Sequence, residues 1–281
     1  QACLDHTFAM QLTSCLVNPR ACHETVLRIE PTATPRRIAV VGAGPGGLAC
    51  AVTAAQRGHD VTLFEADDRI GGQFNYAVKI PGKEEFAETL RYFRNALLDA
   101  GVSVKLGARV TADELSGFDE VVLATGVTPR VPDLPGIDHP KVVSYLQVLR
   151  DHVPVGRRVA ILGAGGIGFD VAEYLTQNGP SASTQPELFY SQWGIDRAHA
   201  TRGGVVPPQH TPPAREVLLL QRKDTKVGQG LGKTTGWIHR TELKNRGVQM
   251  VPGVTYERID DAGLHVVIDE QPQVLAVDTI V

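Results

Sequence analysis

The chain has 281 residues, 42% of them hydrophobic and 21% charged, with a formal net charge of −3. That is room for roughly two domains of ordinary composition. The charge balance leaves no basic footprint for nucleic acid, no apolar run nears the roughly 20 residues of a membrane span, and no secretion signal precedes the four cysteines. A cytoplasmic protein with neither a nucleic-acid nor a membrane partner is expected. The chain has no initiator Met and its ends look cut, so a piece of a longer protein is expected too.

Residues 1–36 carry Cys3, Cys15 and Cys22 and end in a Pro/Thr-rich linker. Iron–sulfur clusters normally take four thiolates, so spacing alone favours unpaired structural thiols here. Residues 37–65 follow as RIAVVGAGPGGLACAVTAAQRGHDVTLFE. Ile38 to Val41 has the apolar run of a buried strand, and Gly42, Gly44 and Gly47 have G-x-G-x-x-G spacing. An Ala-rich helix runs to Gly58, and a second strand, Val61 to Phe64, ends on Glu65. This strand–turn–helix–strand pattern predicts a dinucleotide cradle: the glycines admit a pyrophosphate to the helix N-terminus, and the carboxylate meets ribose hydroxyls.

Gly71 and Gly72 lie in the next loop, where the backbone can pass close to a bound cofactor. Residues 83–100 predict a helix whose stripe of Phe86, Leu90, Phe93 and Leu97 serves core packing. Strands are expected at 102–106 and 120–123, the latter running into Ala124-Thr125-Gly126.

A second strand, 159–162, leads into Gly163, Gly165 and Gly168 and a helix through Leu175. Two such units about 120 residues apart form an architectural repeat, which is more specific than either copy. The polar stretch 178–214 looks like an insertion with little regular structure. Gly47 and Glu65 are 18 positions apart; Gly168 and Arg222 are 54 apart, or 17 once the 37-residue insertion is removed. Arg222 and Lys223 are thus expected in the place of Glu65, where a basic pair suits the 2′-phosphate of NADP(H). Residues 228–234, GQGLGKT, are not a triphosphatase loop, because Val227 stands where the motif needs Gly. A helix is expected over 236–247, containing a His239 of surface or satisfied-core type. Short strands follow, with a hairpin turn at Asp260-Asp-Ala-Gly263.

The motifs ACLDHTF, TSCLVNPRACHE, AVVGAGPGGLA, GHDVTLFEA, IGGQFN, IPGKEEFAETLRY, PVGRRVAILGAGGIGFD and QGLGKTTGWIHR together resemble the C-terminal half of bacterial NADPH-dependent 2,4-dienoyl-CoA reductases. These belong to a family that fuses an old-yellow-enzyme barrel to a disulfide-reductase-like module. The resemblance implies an α/β fold of two Rossmann-like three-layer domains, with the NADP domain inserted in the FAD domain. It divides the chain into an iron–sulfur remnant and linker (1–36), an incomplete FAD domain (37–137) and an NADP domain (138–281). It implies FAD contacts from Gly42, Gly44, Pro45, Gly47, Glu65, Gly72, Gln73, Val110, Ala124, Thr125 and Gly126. NADPH contacts are implied for Gly163, Gly165, Gly168, Arg222 and Lys223.

Cys3 and Cys15 match the third and fourth ligands of a [4Fe–4S] cluster whose first two would precede Gln1. The implied route runs from NADPH through FAD and the cluster to FMN, and on to an acyl-CoA substrate of unsaturated fatty acid β-oxidation. FMN and the catalytic residues would lie in a barrel outside this sequence. A related fusion acting on an amine or another enone, or a stand-alone electron-transfer module, stays open.

Overall fold

A computed structural model describes residues 2–15 and 18–281. Gln1, Leu16 and Val17 lie outside them, the last two within the TSCLVNPRACHE motif. The described chain divides into two compact units: residues 10–78 with 83–129, and residues 1–9 with 79–82 and 130–281. The chain opens on a short helix, α1 (Ala2–Phe8), which belongs to the second of these.

The first unit is a parallel α/β layer. It contains β1 (Arg37–Val41), α2 (Pro45–Gln56), β2 (Asp60–Phe64), α3 (Phe74–Ala77), α4 (Phe86–Asp99), β3 (Ser103–Lys105) and β4 (Glu120–Leu123). The strands lie in the order β3-β2-β1-β4, with every described pairing parallel. β1 is a continuous apolar run because both faces of a central parallel strand are covered. Ile38, Val40, Leu48, Val52, Val61, Leu63 and Leu97 form the core. The expected stripe on α4 packs inward as anticipated: Leu97 is buried, Phe93 abuts the core, and Phe86 stacks on Phe74 at 4.8 Å.

The second unit contains α5 (Tyr145–Leu149), β5 (Arg158–Leu162), α6 (Gly166–Thr176), α7 (Pro186–Trp193), β6 (Glu216–Leu220), α8 (Gly236–Asn245) and β7 (Gln249–Val251). β8 (Thr255–Asp260), β9 (Gly263–Ile268), β10 (Gln271–Leu275) and β11 (Thr279–Ile280) complete it. A parallel sheet runs β11-β5-β6-β7, and β8, β9 and β10 form a separate antiparallel meander. Leu134, Leu220, Val254, Ile259, Leu264, Val266 and Ile280 are buried together between the two sheets. The hairpin expected at 260–263 is present, with Asp260 paired to Gly263.

The insertion is more regular than its composition suggests. It contains α7 and two short 3-10 turns, at 182–184 and 202–204. Phe189, Tyr190 and Trp193 gather on α7, Arg197 lies 5.0 Å over the Tyr190 ring, and Trp193 meets Trp237 of α8 edge-on at 6.3 Å. These rings supply the apolar area that the surrounding Ser, Thr, Gln and Pro residues lack.

The repeat extends beyond the glycines. The Arg37 N–H donates to the Asp119 carboxylate at 2.7 Å and the Asp119 N–H returns to Arg37 O at 2.9 Å. Arg158 and Asp278 exchange the same two bonds, at 2.8 and 2.9 Å. Each pair joins the first residue of a sheet's central strand to the residue before its fourth strand.

Candidate functional site: two glycine turns at strand ends

The first turn links β1 to α2. The Gly42 N–H donates to Phe64 O at 2.7 Å, which fixes the turn beside the end of β2. Gly42 has φ +105°, and a Cβ there would lie 2.4 Å from Ala124 O. At Gly47 a Cβ would lie 1.8 Å from Gly42 O, so this residue must be glycine for the helix to close on the turn. Gly44 differs: a Cβ would meet nothing within 4 Å. It occupies the N-cap of α2 without a side-chain cap, and Pro45 follows. The free N–H groups and partial positive charge of the helix end therefore face open space, as an anion cradle requires.

Several of the other expected residues lie against this turn, and the rest follow in neighbouring segments. The Gly71 N–H donates to Ala43 O at 2.8 Å, and Gly72 backs onto the Gly44 Cα. Gln73 is exposed at the start of α3. The Ala124 N–H bonds Val41 O at 2.8 Å, and Thr125 and Gly126 continue from it at the surface. Val110 is half-buried in the segment leaving β3, where the Ala108 N–H donates to Glu65 O at 2.8 Å. Glu65 itself accepts from the Ala43 N–H at 2.7 Å and the Asp67 N–H at 2.9 Å. Sequence reasoning placed that carboxylate near the turn but missed its bond to the turn's own amide.

The second turn repeats the construction. The Gly163 N–H donates to Leu220 O at 3.0 Å, a Cβ at Gly168 would lie 1.9 Å from Gly163 O, and a Cβ at Gly165 would meet nothing within 4 Å. The hydrogen bonds also correct the register of the acidic position. The Glu65 N–H bonds Lys105 O at the end of β3, and its counterpart bonding Val251 O at the end of β7 is the Gln221 N–H. Gln221, not Arg222, therefore occupies the place of Glu65, and Arg222 and Lys223 follow one and two positions later. The miscount arose because composition cannot fix the ends of an insertion to the residue.

A neutral amide thus replaces the carboxylate, and it is occupied. Gln221 Nε2 donates to Lys223 O at 3.0 Å and Thr225 O at 2.8 Å, which ties down the backbone that carries the two exposed cations. Tyr256 lies near Arg222. Burial pushes its phenol up to about 12, with the guanidinium pulling the other way.

Away from the turns, Glu173 is a buried carboxyl group on α6, and it shares a hydrogen bond of 2.7 Å with His239 Nδ1 of α8. Burial raises the Glu173 carboxyl above its ordinary range, opposed by that bond and assisted by Glu242 and Asp170. His239, expected as a surface or satisfied-core histidine, is half-buried and hydrogen-bonded to Glu173. Cys3 is half-buried and Cys15 exposed. They offer two of the four thiolates that a cluster takes, so the residues present do not by themselves fit that group. Among the described residues, no three His, Cys, Asp or Glu side chains gather as a metal site. The glycine cradles, in contrast, fit dinucleotides.

This fold and its paired cradles define a flavin- and NAD(P)-dependent oxidoreductase module. Residues 36–281 match the family model described as pyridine nucleotide-disulphide oxidoreductase, and the chain belongs to that family. It is 31% identical over its whole length to a metal reductase of Desulforamulus reducens, covering 42% of that protein. It is 32% identical to a cinnamate reductase of Clostridium sporogenes, over 84% of this chain and 34% of that one. The chain therefore spans less than half the length of these relatives. Among solved structures, a 2-naphthoyl-CoA reductase bound to 2-naphthoyl-CoA superposes with a TM-score of 0.82 at 28% identity, covering all of this chain and 38% of that one.

Proposed function

We propose that the chain is the flavin-reducing half of a longer NADPH-dependent reductase of the 2,4-dienoyl-CoA type. The first unit holds FAD: its cradle takes the pyrophosphate and Glu65 the ribose. The second holds NADPH, with Arg222 and Lys223 on the 2′-phosphate. The observation that carries the reading is the contrast between two similarly built turns, one tipped by a carboxylate and the other by an amide and two cations. Like charge would repel a 2′-phosphate from the first and opposite charge favours it at the second. When bound, NADPH supplies a hydride and FAD accepts it, after which flavin can release electrons singly.

The acyl-CoA assignment rests on the eight motifs and is supported by the likeness to a reductase of a CoA thioester. FMN, the substrate pocket and the remaining cluster ligands would belong to the rest of the longer protein.

Flavin bleaching tests the reading. With FAD added to the chain, NADPH should reduce it faster than NADH, and Arg222→Asp should erode that preference roughly tenfold. Equal rates with both donors in the unsubstituted chain would overturn the 2′-phosphate assignment.

A further inference from the structure

The sequence 228–234 has the look of a phosphate loop without the complete motif, and no dinucleotide role has been given to it. In the structure it holds an anion that belongs to the chain. The Thr234 N–H donates to Asp5 Oδ1 at 2.8 Å and the Thr234 hydroxyl donates to the same oxygen at 2.9 Å. A Cβ on Gly232 would lie 2.5 Å from Asp5 Oδ2, so the second oxygen rests against a residue with no side chain. Lys233 stands close enough to add a favourable charge. Asp5 and Thr234 are 229 positions apart, so nothing local produces this contact.

The loop is braced from the opposite side. Arg240 of α8 donates to Gly228 O at 2.9 Å, and Gly228 lies against the Phe169 ring of α6. Trp237 Nε1 donates to Thr234 O at 3.1 Å. Amide, hydroxyl, cation and missing side chain all serve one carboxylate, a donor set matched to an anion.

We infer that Leu231–Thr235 is a carboxylate receptor whose ligand is Asp5, and that this latch docks α1 on the second unit. The chain leaves that unit after Ala9, so the latch ties this seven-residue helix to the unit it belongs to.

Amide hydrogen exchange on the 281-residue chain tests the latch without cofactor, cluster or turnover. Asp5→Ala should speed exchange roughly tenfold in the peptide containing Thr234, and Thr234→Val should do the same in the helix peptide 3–8. Thr234→Ser, which keeps the hydroxyl, should keep wild-type protection. Exchange in β9 and β10 reports on the rest of the unit and should not change. If Asp5→Ala leaves the Thr234 peptide protected, or Thr234→Val leaves the helix protected, the latch is overturned. Failure of the NADPH reading would leave these results unchanged.

Discussion

Glu173 sits in an environment that opposes its chemistry. A carboxylate taken out of water is costly, and one hydrogen bond from His239 offsets only part of that cost. Because burial raises its folded value, the folded chain keeps the proton to a higher pH than the unfolded chain does. The stabilisation from protonation is complete below the unfolded value of about 4.5 and is lost as pH rises through the folded value. Glu173→Gln stays neutral throughout. Paired urea unfolding curves should therefore show wild type losing ground to the variant between about pH 4.5 and neutrality. A difference independent of pH would mean that the carboxyl titrates alike in both states. The sequence marked His239 as an ordinary histidine but gave no sign of its partner, because the pair joins helices 66 positions apart.

At the scale of elements, apolar runs bounded by glycine made the parallel strands legible, and β1, β2, β4 and β5 fall within a residue of expectation. The helix α7 was hidden because its three aromatic rings are diluted by polar neighbours. The meander strands were visible, but their separation from the parallel sheet was not, since alternation does not name a partner strand. One turn there is under strain. β9 and β10 are joined by two residues, Asp269 at φ +49° and Glu270 at φ +61°. That is the left-handed pair of a tight hairpin, which favours Asn-Gly. Glu270→Gly should raise stability by about 1 kcal/mol, read as a higher denaturation midpoint at unchanged slope. No gain would show that the Glu270 side chain already compensates its backbone.

For the whole molecule, the two glycine classes separate folding from binding. Gly47 and Gly168 are needed by the backbone they touch, but Gly44 and Gly165 touch nothing that a Cβ would reach. Gly44→Val should cost the ligand-free chain no more than about 1 kcal/mol for a poorer N-cap and abolish stabilisation by FAD, while NADP⁺ still stabilises. Gly165→Val should do the reverse. At a hundredfold excess over its dissociation constant each ligand adds about 2.7 kcal/mol, so thermal unfolding with either ligand resolves the four cases. Loss of both effects in one variant would mean that the cradles are not independent.

Glu65 adds a selectivity that the glycines cannot. Its carboxylate accepts from the Ala43 N–H at 2.7 Å, so a negative group stands beside the turn. On the proposed reading, inorganic pyrophosphate would meet that charge and offer it no donor, whereas a complete dinucleotide would bring ribose hydroxyls that donate to it. Fragments of the cofactor should then compete poorly with the intact molecule.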